Sequence, residues 1–518
     1  MSSRSRGVHP RARVVLIRPP TVVTRFALTL DATPPIAIAY LASSLRARGH
    51  DVTCIDAVGD GLDVFGPGYA PDLLFHGLAI DDVVARVDPI ADLVGVSCMF
   101  SHEWPLIRTL LARLAERCPR AVLVLGGEHA TAAPELCLAQ APGLRACAVG
   151  EGEETIVELA EAAVAGTPVE NVAGLVVRAG SATVPTGSRA RIRDIDAIAL
   201  PAWDLVPLEG YLDRGLSFGV DRGRTVPIMA TRGCPYQCTF CSSPRMWTTR
   251  YTTRDPVLVV DEIEQYVQRY AVRNIDFYDL TAIVKRGWIL RFCDEMIRRR
   301  IDACWQLPSG TRSEAMDAEV CERMYQAGCR NVSYAPESGS ERTLERIKKK
   351  IRLDRMLESM QSAVRSGLNV KANILIGFPD ETHQDIQDSM RFMLKMARVG
   401  VHDVSVWTFS PYPGSELFDQ LRAAGKIRDV DDRFFASLLS YSNVAGAVSH
   451  CDAVSARWLH SYRLAGLAGF YAASYARRPA RPLRTAANVI TGRFESRLEM
   501  SLANLVRRLR SESRDHAA

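Results

Sequence analysis

Three cysteines stand within eight residues, Cys234-Pro-Tyr-Gln-Cys238-Thr-Phe-Cys241, directly after the apolar run Val226-Pro-Ile-Met-Ala-Thr231. Soft thiolates grouped on one loop suit an iron–sulfur cluster. A four-iron cluster wants four ligands and only three are offered, so one iron would be free to bind a small molecule. That turns an electron carrier into a catalyst. A structural zinc site would close with four ligands, often as two C-x2-C pairs. No second pair lies nearby, and the next cysteine, Cys293, is far along the chain. A disulfide with one spare thiol is the third alternative, but nothing in the chain points to secretion.

A second group of chemistry-bearing residues follows short apolar runs. Ser97-Cys-Met99-Phe-Ser-His102 follows Leu93-Val-Gly-Val, Gly126-Gly127-Glu-His129-Ala-Thr131 follows Ala121-Val-Leu-Val-Leu125, and Gly150-Glu151-Gly-Glu-Glu154 follows Ala146-Cys-Ala-Val149. The glycines let a ligand approach the backbone closely. Any one loop could be a tight turn or a helix cap, with Thr131 and Glu135 as capping partners. Three on one sheet edge indicate a bound cofactor. Arg18-Pro-Pro20 stands where a G-x-G-x-x-G would open the first helix, which argues against a dinucleotide.

The elements that must position these residues form two alternating regions and a different tail. In the first, Val14-Val-Leu-Ile17, Val52-Thr-Cys-Ile55 and the three runs above alternate with helical patterns, beginning with residues 36–46. Continuous apolar strands alternating with helices predict a parallel sheet covered on both faces, whose ligands bind at the carboxyl ends of the strands. In the second, the strand before the cysteines is followed by helix 256–270, strand 274–278, helix 286–299, strand 303–307, helix 314–327, strand 331–335, helix 354–366, strand 370–376, helix 382–399 and strand 403–407. Six parallel units predict an incomplete barrel. The cysteines then share one rim with Glu337-Ser-Gly339, Gly377-Phe-Pro379 and Pro411-Tyr-Pro-Gly414. The expected class is α/β. A doubly wound domain spans 10–180, a linker 181–222, a partial (β/α)6 barrel 223–420 and a mainly helical region 421–518.

Composition agrees. With 518 residues the chain needs more than one core, and a 47% hydrophobic fraction is that of a globular protein. Thirteen irregularly spaced cysteines are not a disulfide scaffold. A net charge of +5 is too mild to imply nucleic acid. The basic, polar start Met1-Ser-Ser-Arg-Ser-Arg-Gly7 does not read as a signal peptide, and no run of about eighteen apolar residues occurs, so a cytoplasmic protein is expected.

The triplet, with Tyr236 and Phe240, resembles the cluster motif of radical S-adenosylmethionine enzymes over about residues 10–420. The doubly wound domain ahead of the barrel narrows the resemblance to the cobalamin-dependent branch. Gly126-Gly-Glu-His129 and Gly150-Glu-Gly-Glu153 resemble its cobalamin loops, and Glu337-Ser-Gly-Ser340 and Ile376-Gly-Phe-Pro379 its barrel motifs. The resemblance implies that Cys234, Cys238 and Cys241 hold three irons of a 4Fe–4S cluster, whose fourth iron chelates S-adenosylmethionine. One electron, from a donor such as a flavodoxin or ferredoxin, then yields a 5′-deoxyadenosyl radical that abstracts a substrate hydrogen. It places Phe240 near the adenine and Glu337 and Ser338 at the methionine or ribose end. On the strand 370–376, Asn373 rather than Lys371 is expected to face the barrel interior. The resemblance also implies cobalamin as methyl carrier, walled by Ser97, Met99, Gly126, Gly127, His129 and Glu151. No Asp-x-His-x-x-Gly motif supplies a lower ligand. No side chain is assigned as catalytic acid or base. The expected activity is methyl transfer to an unactivated carbon. Alternatives are radical oxidation, cyclisation or rearrangement on the same architecture and, more remotely, a non-catalytic metal-binding module.

Aromatic residues Tyr412 of the barrel and Phe434, Phe435 and Tyr441 of the tail are expected either at a substrate pocket or in the core. Arginines recur from Arg477 to Arg510. A basic amphipathic helix of this kind is either a solvated face or a peripheral membrane contact, the latter consistent with a lipid rather than a small-molecule substrate.

Overall fold

Buried apolar runs become the strands of two sheets in the computed structural model, which describes residues 11–27, 32–180, 182–312, 315–441 and 446–515. The basic segment 1–7 and the Tyr441 side chain lie outside them. Five parallel strands of the first sheet stand in the spatial order Asp51–Asp56, Arg13–Arg18, Leu93–Ser97, Val122–Gly126, Ala146–Ala148. Val14, Val15, Leu16 and Ile17 are all buried because helices cover both faces. The order reverses between Arg13–Arg18 and Leu93–Ser97, the switch point at which such sheets bind ligands.

The expectation of a wholly parallel sheet is corrected at the far edge. Leu175–Ala179 runs antiparallel to Ala146–Ala148, and Ala182–Pro185 pairs antiparallel with Leu175–Ala179. The turn between those last two is too short for a crossover, so only an antiparallel return is open to the chain. A small antiparallel sheet of Thr21–Thr24, Leu73–His76 and Phe65–Pro67 also forms.

The second sheet has six parallel strands in chain order: Thr225–Ile228, Asn274–Phe277, Cys304–Thr311, Cys329–Glu337, Asn369–Ile376 and Asp403–Thr408. Their alternation is clearest in Asn369–Ile376. Val370, Ala372, Ile374 and Ile376 are buried against the outer helices, while Lys371, Asn373 and Leu375 take the opposite, concave face. The amino end of the barrel is plugged. Asp276 accepts from Gly219 N at 2.8 Å and Gln306 accepts from Val220 N at 2.9 Å. Beneath them Val220 packs with Phe494 and Ala503 of the tail.

The segment 181–222, expected as a linker, packs rather than tethers. Trp203, Val206, Leu208 and Leu212 belong to the same core as Val226 and Val259, and Tyr211 donates to Asp56 at 2.7 Å. In the tail, Asp432–Ser437 packs on residues 101–103 of the first domain, with Arg108 Nη2 donating to both carboxylate oxygens of Asp432 at 3.0 and 3.1 Å. Phe434 and Phe435 are core residues. Several tail arginines serve the fold. Arg478 and Arg481 donate to the carbonyls of Ala397, Gly400 and Val401 at the end of helix His383–Val399, where the helix dipole favours cations. Helix Ala480–Thr491 still exposes Leu483 and Ile490. Among the described residues no helix is long and apolar enough to cross a membrane.

Candidate active site

The cysteine loop leaves strand Thr225–Ile228 under tight control. Asp279, at the carboxyl end of the neighbouring strand, accepts from the backbone N–H and the hydroxyl of Thr231, and burial pushes its carboxyl up to about 6. Thr231–Arg232 pairs with Thr252–Thr253, closing the base of the loop. Gly233 has φ +83°, and a Cβ there would strike the Arg250 carbonyl, so only glycine lets the chain turn into Cys234. Cys234, Cys238 and Cys241 are all free thiols and half-buried. Burial raises the Cys238 thiol, opposed by the nearby Lys349 ammonium and Arg312 guanidinium; burial also raises Cys241, to about 11. Among the described residues no three His, Cys, Asp or Glu side chains converge on a single-ion site. A cluster does not ask for that convergence, because each thiolate binds a different iron.

The barrel rim gathers the other expected residues around this loop. Phe240 packs against Phe378 with ring centroids 5.7 Å apart, and the Lys349 ammonium lies 5.9 Å from the Phe240 ring. Lys349 also pairs with Glu337 at 2.9 Å, both side chains being about nine-tenths buried. Glu337 holds φ +65° at the end of its strand, a conformation costing about 1–3 kcal/mol that persists where the surroundings impose it, commonly at functional sites. Asn373 occupies the concave face, and its Oδ1 is buried without a partner. Ser338 is turned away. Its hydroxyl lies 3.1 Å from Ser389 Oγ and accepts from Ser340 N at 3.1 Å.

Two rim residues escaped the sequence reading. Glu381 accepts from the backbone of Gly377 at 2.6 Å and of Phe378 at 3.1 Å, fixing the turn that presents Phe378 to Phe240. Burial pushes its carboxyl up to about 7. The available signal was a carboxylate four residues after Gly377. Lys349 had no such signal, being the middle of Lys348-Lys349-Lys350.

At the edge of the first sheet, Gly126 and Gly127 play different parts. A Cβ on Gly126 would meet nothing within 4 Å, which marks open space; one on Gly127, at φ +105°, would lie 2.5 Å from Cys98 O. Ser97 is half-buried and Met99 exposed. His129 does not face that space. It is buried between Trp104 and Phe435, its Nδ1 is 2.9 Å from Ser101 Oγ, and burial lowers it to about 3, leaving it neutral. Glu151 is buried too, its carboxylate bonded by Arg232 at 3.1 Å, by Arg191 at 3.4 Å and by Ile192 N at 2.8 Å.

The two edges meet. Arg232 bridges from the cysteine loop to Glu151 and Glu153. Helix Ser243–Trp247 packs on Glu128–Ala132; Ser242 donates to Glu128, and Thr131 to Met246 Sδ at 3.2 Å. Opposite them, Arg108–Asp432 and the His129–Phe435 ring contact tie the first domain to the tail.

These residues fit a cluster, S-adenosylmethionine and a corrinoid. Three thiols with no disulfide partner stand on one rim, an orphaned amide oxygen stands on the concave face, and the glycine edge opens onto free space beside them.

Comparisons with known proteins agree. The Radical SAM superfamily matches residues 228–393 and the B12 binding domain residues 28–160. An uncharacterized methyltransferase of Pyrococcus horikoshii is 29% identical over 79% of this chain and 82% of its own. An anaerobic magnesium-protoporphyrin IX monomethyl ester cyclase of Rubrivivax gelatinosus is 28% identical over 78% of this chain and 69% of its own. The radical S-adenosylmethionine methyltransferase TsrM of Kitasatospora setae, solved with cobalamin and a [4Fe-4S] cluster, superposes with TM-score 0.62 at 16% identity, covering 80% of this chain and 75% of TsrM, a likeness of fold. The chain is a radical S-adenosylmethionine enzyme of the cobalamin-dependent branch, with a 4Fe–4S cluster, S-adenosylmethionine and cobalamin as its cofactors.

Proposed function

We propose that the protein is a methyltransferase that places a methyl group on an unactivated carbon of a small molecule. The observation that carries this reading is the junction of the two edges. The loop bearing Cys234, Cys238 and Cys241 is bonded through Arg232 to the loop that follows Gly150, so radical generation and a methyl carrier would stand on adjoining edges. When bound, the three cofactors supply one-electron cleavage of S-adenosylmethionine and a transferable methyl group.

The chain's own residues orient and enclose. Cys234, Cys238 and Cys241 hold the cluster. The Glu337–Lys349 pair offers a carboxylate and an ammonium to the zwitterionic methionine end. Phe240 and Phe378 form an apolar wall for the adenine, held in place by Glu381. Asn373 presents an unsatisfied acceptor to a ligand in the lumen. Ser97, Met99, Gly126 and Gly127 flank the corrinoid, whereas His129 and Glu151 act behind the wall. The plugged amino end leaves the carboxyl rim as the route in.

Anaerobically reconstituted protein turning over a substrate should release S-adenosylhomocysteine and 5′-deoxyadenosine together. Turnover that yields 5′-deoxyadenosine without S-adenosylhomocysteine would remove methyl transfer and leave radical chemistry standing. A second reading is favoured by the cyclase relative: ring closure at the same site with no methyl transferred. Product mass separates the two, because only methylation adds a carbon.

A further inference from the structure

The cysteine loop is tied to the first domain at both of its ends, through one carboxylate. At the entry, Arg232 reaches Glu151 Oε1 at 3.1 Å and also Glu153. At the exit, Arg191 donates to the carbonyl oxygens of Trp247 at 2.6 Å and Arg250 at 2.5 Å while its Nε lies 3.4 Å from Glu151 Oε2. Both guanidiniums also lie over the Trp247 ring, at 5.3 and 5.9 Å. The four charged side chains are between 4% and 11% exposed, so water does not screen them. Glu151 directly follows Gly150, whose N–H is held by Thr131 Oγ1 at 3.1 Å, and the same hydroxyl reaches Met246 Sδ. Any shift of the Gly150–Glu151 backbone therefore pulls on residues at both feet of the cysteine loop.

We infer that Glu151, Arg191 and Arg232 are positioning residues that couple the corrinoid site to the cluster site, so that filling either one tightens the other. The inference rests on the corrinoid binding at this sheet edge and is independent of whether a methyl group is transferred. A buried ion pair that only riveted the domains together would hold equally in every loading state. A coupling, by contrast, is reciprocal between two binding equilibria and is measured as a ratio.

The test is a hydroxocobalamin titration of the full-length chain, followed by its visible spectrum, with and without the reconstituted cluster. In the wild type, loading the cluster should tighten hydroxocobalamin by about tenfold. In Arg232→Gln both loading states should still bind, with a ratio close to one. Should Arg232→Gln fail to fold, Glu151→Gln serves, because its amide oxygen still accepts from Ile192 N while the charge is gone; it should lower the ratio in the same way. A wild-type ratio of one, or an unchanged ratio in the variant, overturns the inference. Absence of hydroxocobalamin binding in either state would overturn the corrinoid site itself, an outcome distinct from binding without coupling.

Discussion

Arg232, two residues ahead of Cys234, lies between the carboxylates of Glu151 and Glu153 on the opposite domain, 3.1 Å from Glu151. Burial alone would lower its guanidinium, and the Glu153 and Glu151 carboxylates more than reverse that. Removing the cation leaves two buried carboxylates without their shared partner. Arg232→Ala should therefore destabilise the chain by about 3–5 kcal/mol. Ser242→Ala, which loses a hydroxyl donor to Glu128, should cost about 1–3 kcal/mol. Denaturant unfolding of the two variants side by side checks the order.

Cys234→Ser, Cys238→Ser and Cys241→Ser should each abolish the visible absorption of the reconstituted cluster. Cys293→Ser and Cys147→Ser, buried in apolar packing, should retain it. Iron and sulfide content measured after anaerobic reconstitution decides. Loss of the cluster from Cys293→Ser would mean that the triplet is not the ligand set.

Asn373→Ala separates a ligand contact from a structural one. Its Oδ1 is a buried acceptor with no partner, so truncation removes an unmet cost and should leave stability nearly unchanged. Affinity for S-adenosylmethionine should fall by about tenfold, the loss of one hydrogen bond to a charged group. Equilibrium binding and thermal melting read the two separately.

Four buried carboxyls give a pH dependence of definite sign. Burial pushes Glu103 and Glu381 up to about 7 and Asp276 and Asp279 up to about 6. Folded, each holds its proton to higher pH than when unfolded. Their stabilising contribution is complete below the unfolded value and is lost as pH rises through the folded one. The buried histidines His102, His129 and His402, lowered to about 3, act with the opposite sign, so the carboxyl contribution is read as the difference in melting temperature between the wild type and a carboxyl variant, from about pH 5 to about pH 8. Relative to Glu381→Gln, the wild type should lose stability as pH rises through about 7, by roughly 3 kcal/mol at most. An equally steep profile in Glu381→Gln would show that this carboxyl is not shifted.

The candidate cluster loop was legible because its three cysteines are neighbours in sequence, and the six barrel units because each buried strand is a local apolar run. The glycine edge was legible in Gly126 and Gly127, where one position faces open space and the other takes a positive φ. The clasp was not. Arg232 and Glu151 are 81 residues apart, and no spacing rule joins them. For the same reason Glu151 reads from sequence as a wall residue, when its carboxylate is occupied by arginines. His129 misleads likewise, because its burial between Trp104 and Phe435 is a tertiary fact. Leu175–Ala179 and Ala182–Pro185 form a hairpin whose outer strand is largely exposed, so no apolar run announces it.

The most direct test of methyl transfer is isotopic. Reconstituted protein carrying cluster and hydroxocobalamin is supplied with methyl-trideuterated S-adenosylmethionine, a reductant and a small-molecule extract of the producing cells. The prediction is a product heavier than its precursor by one trideuteromethyl group in place of hydrogen, formed together with S-adenosylhomocysteine. A product that consumes 5′-deoxyadenosyl equivalents but carries no deuterated methyl group would contradict it.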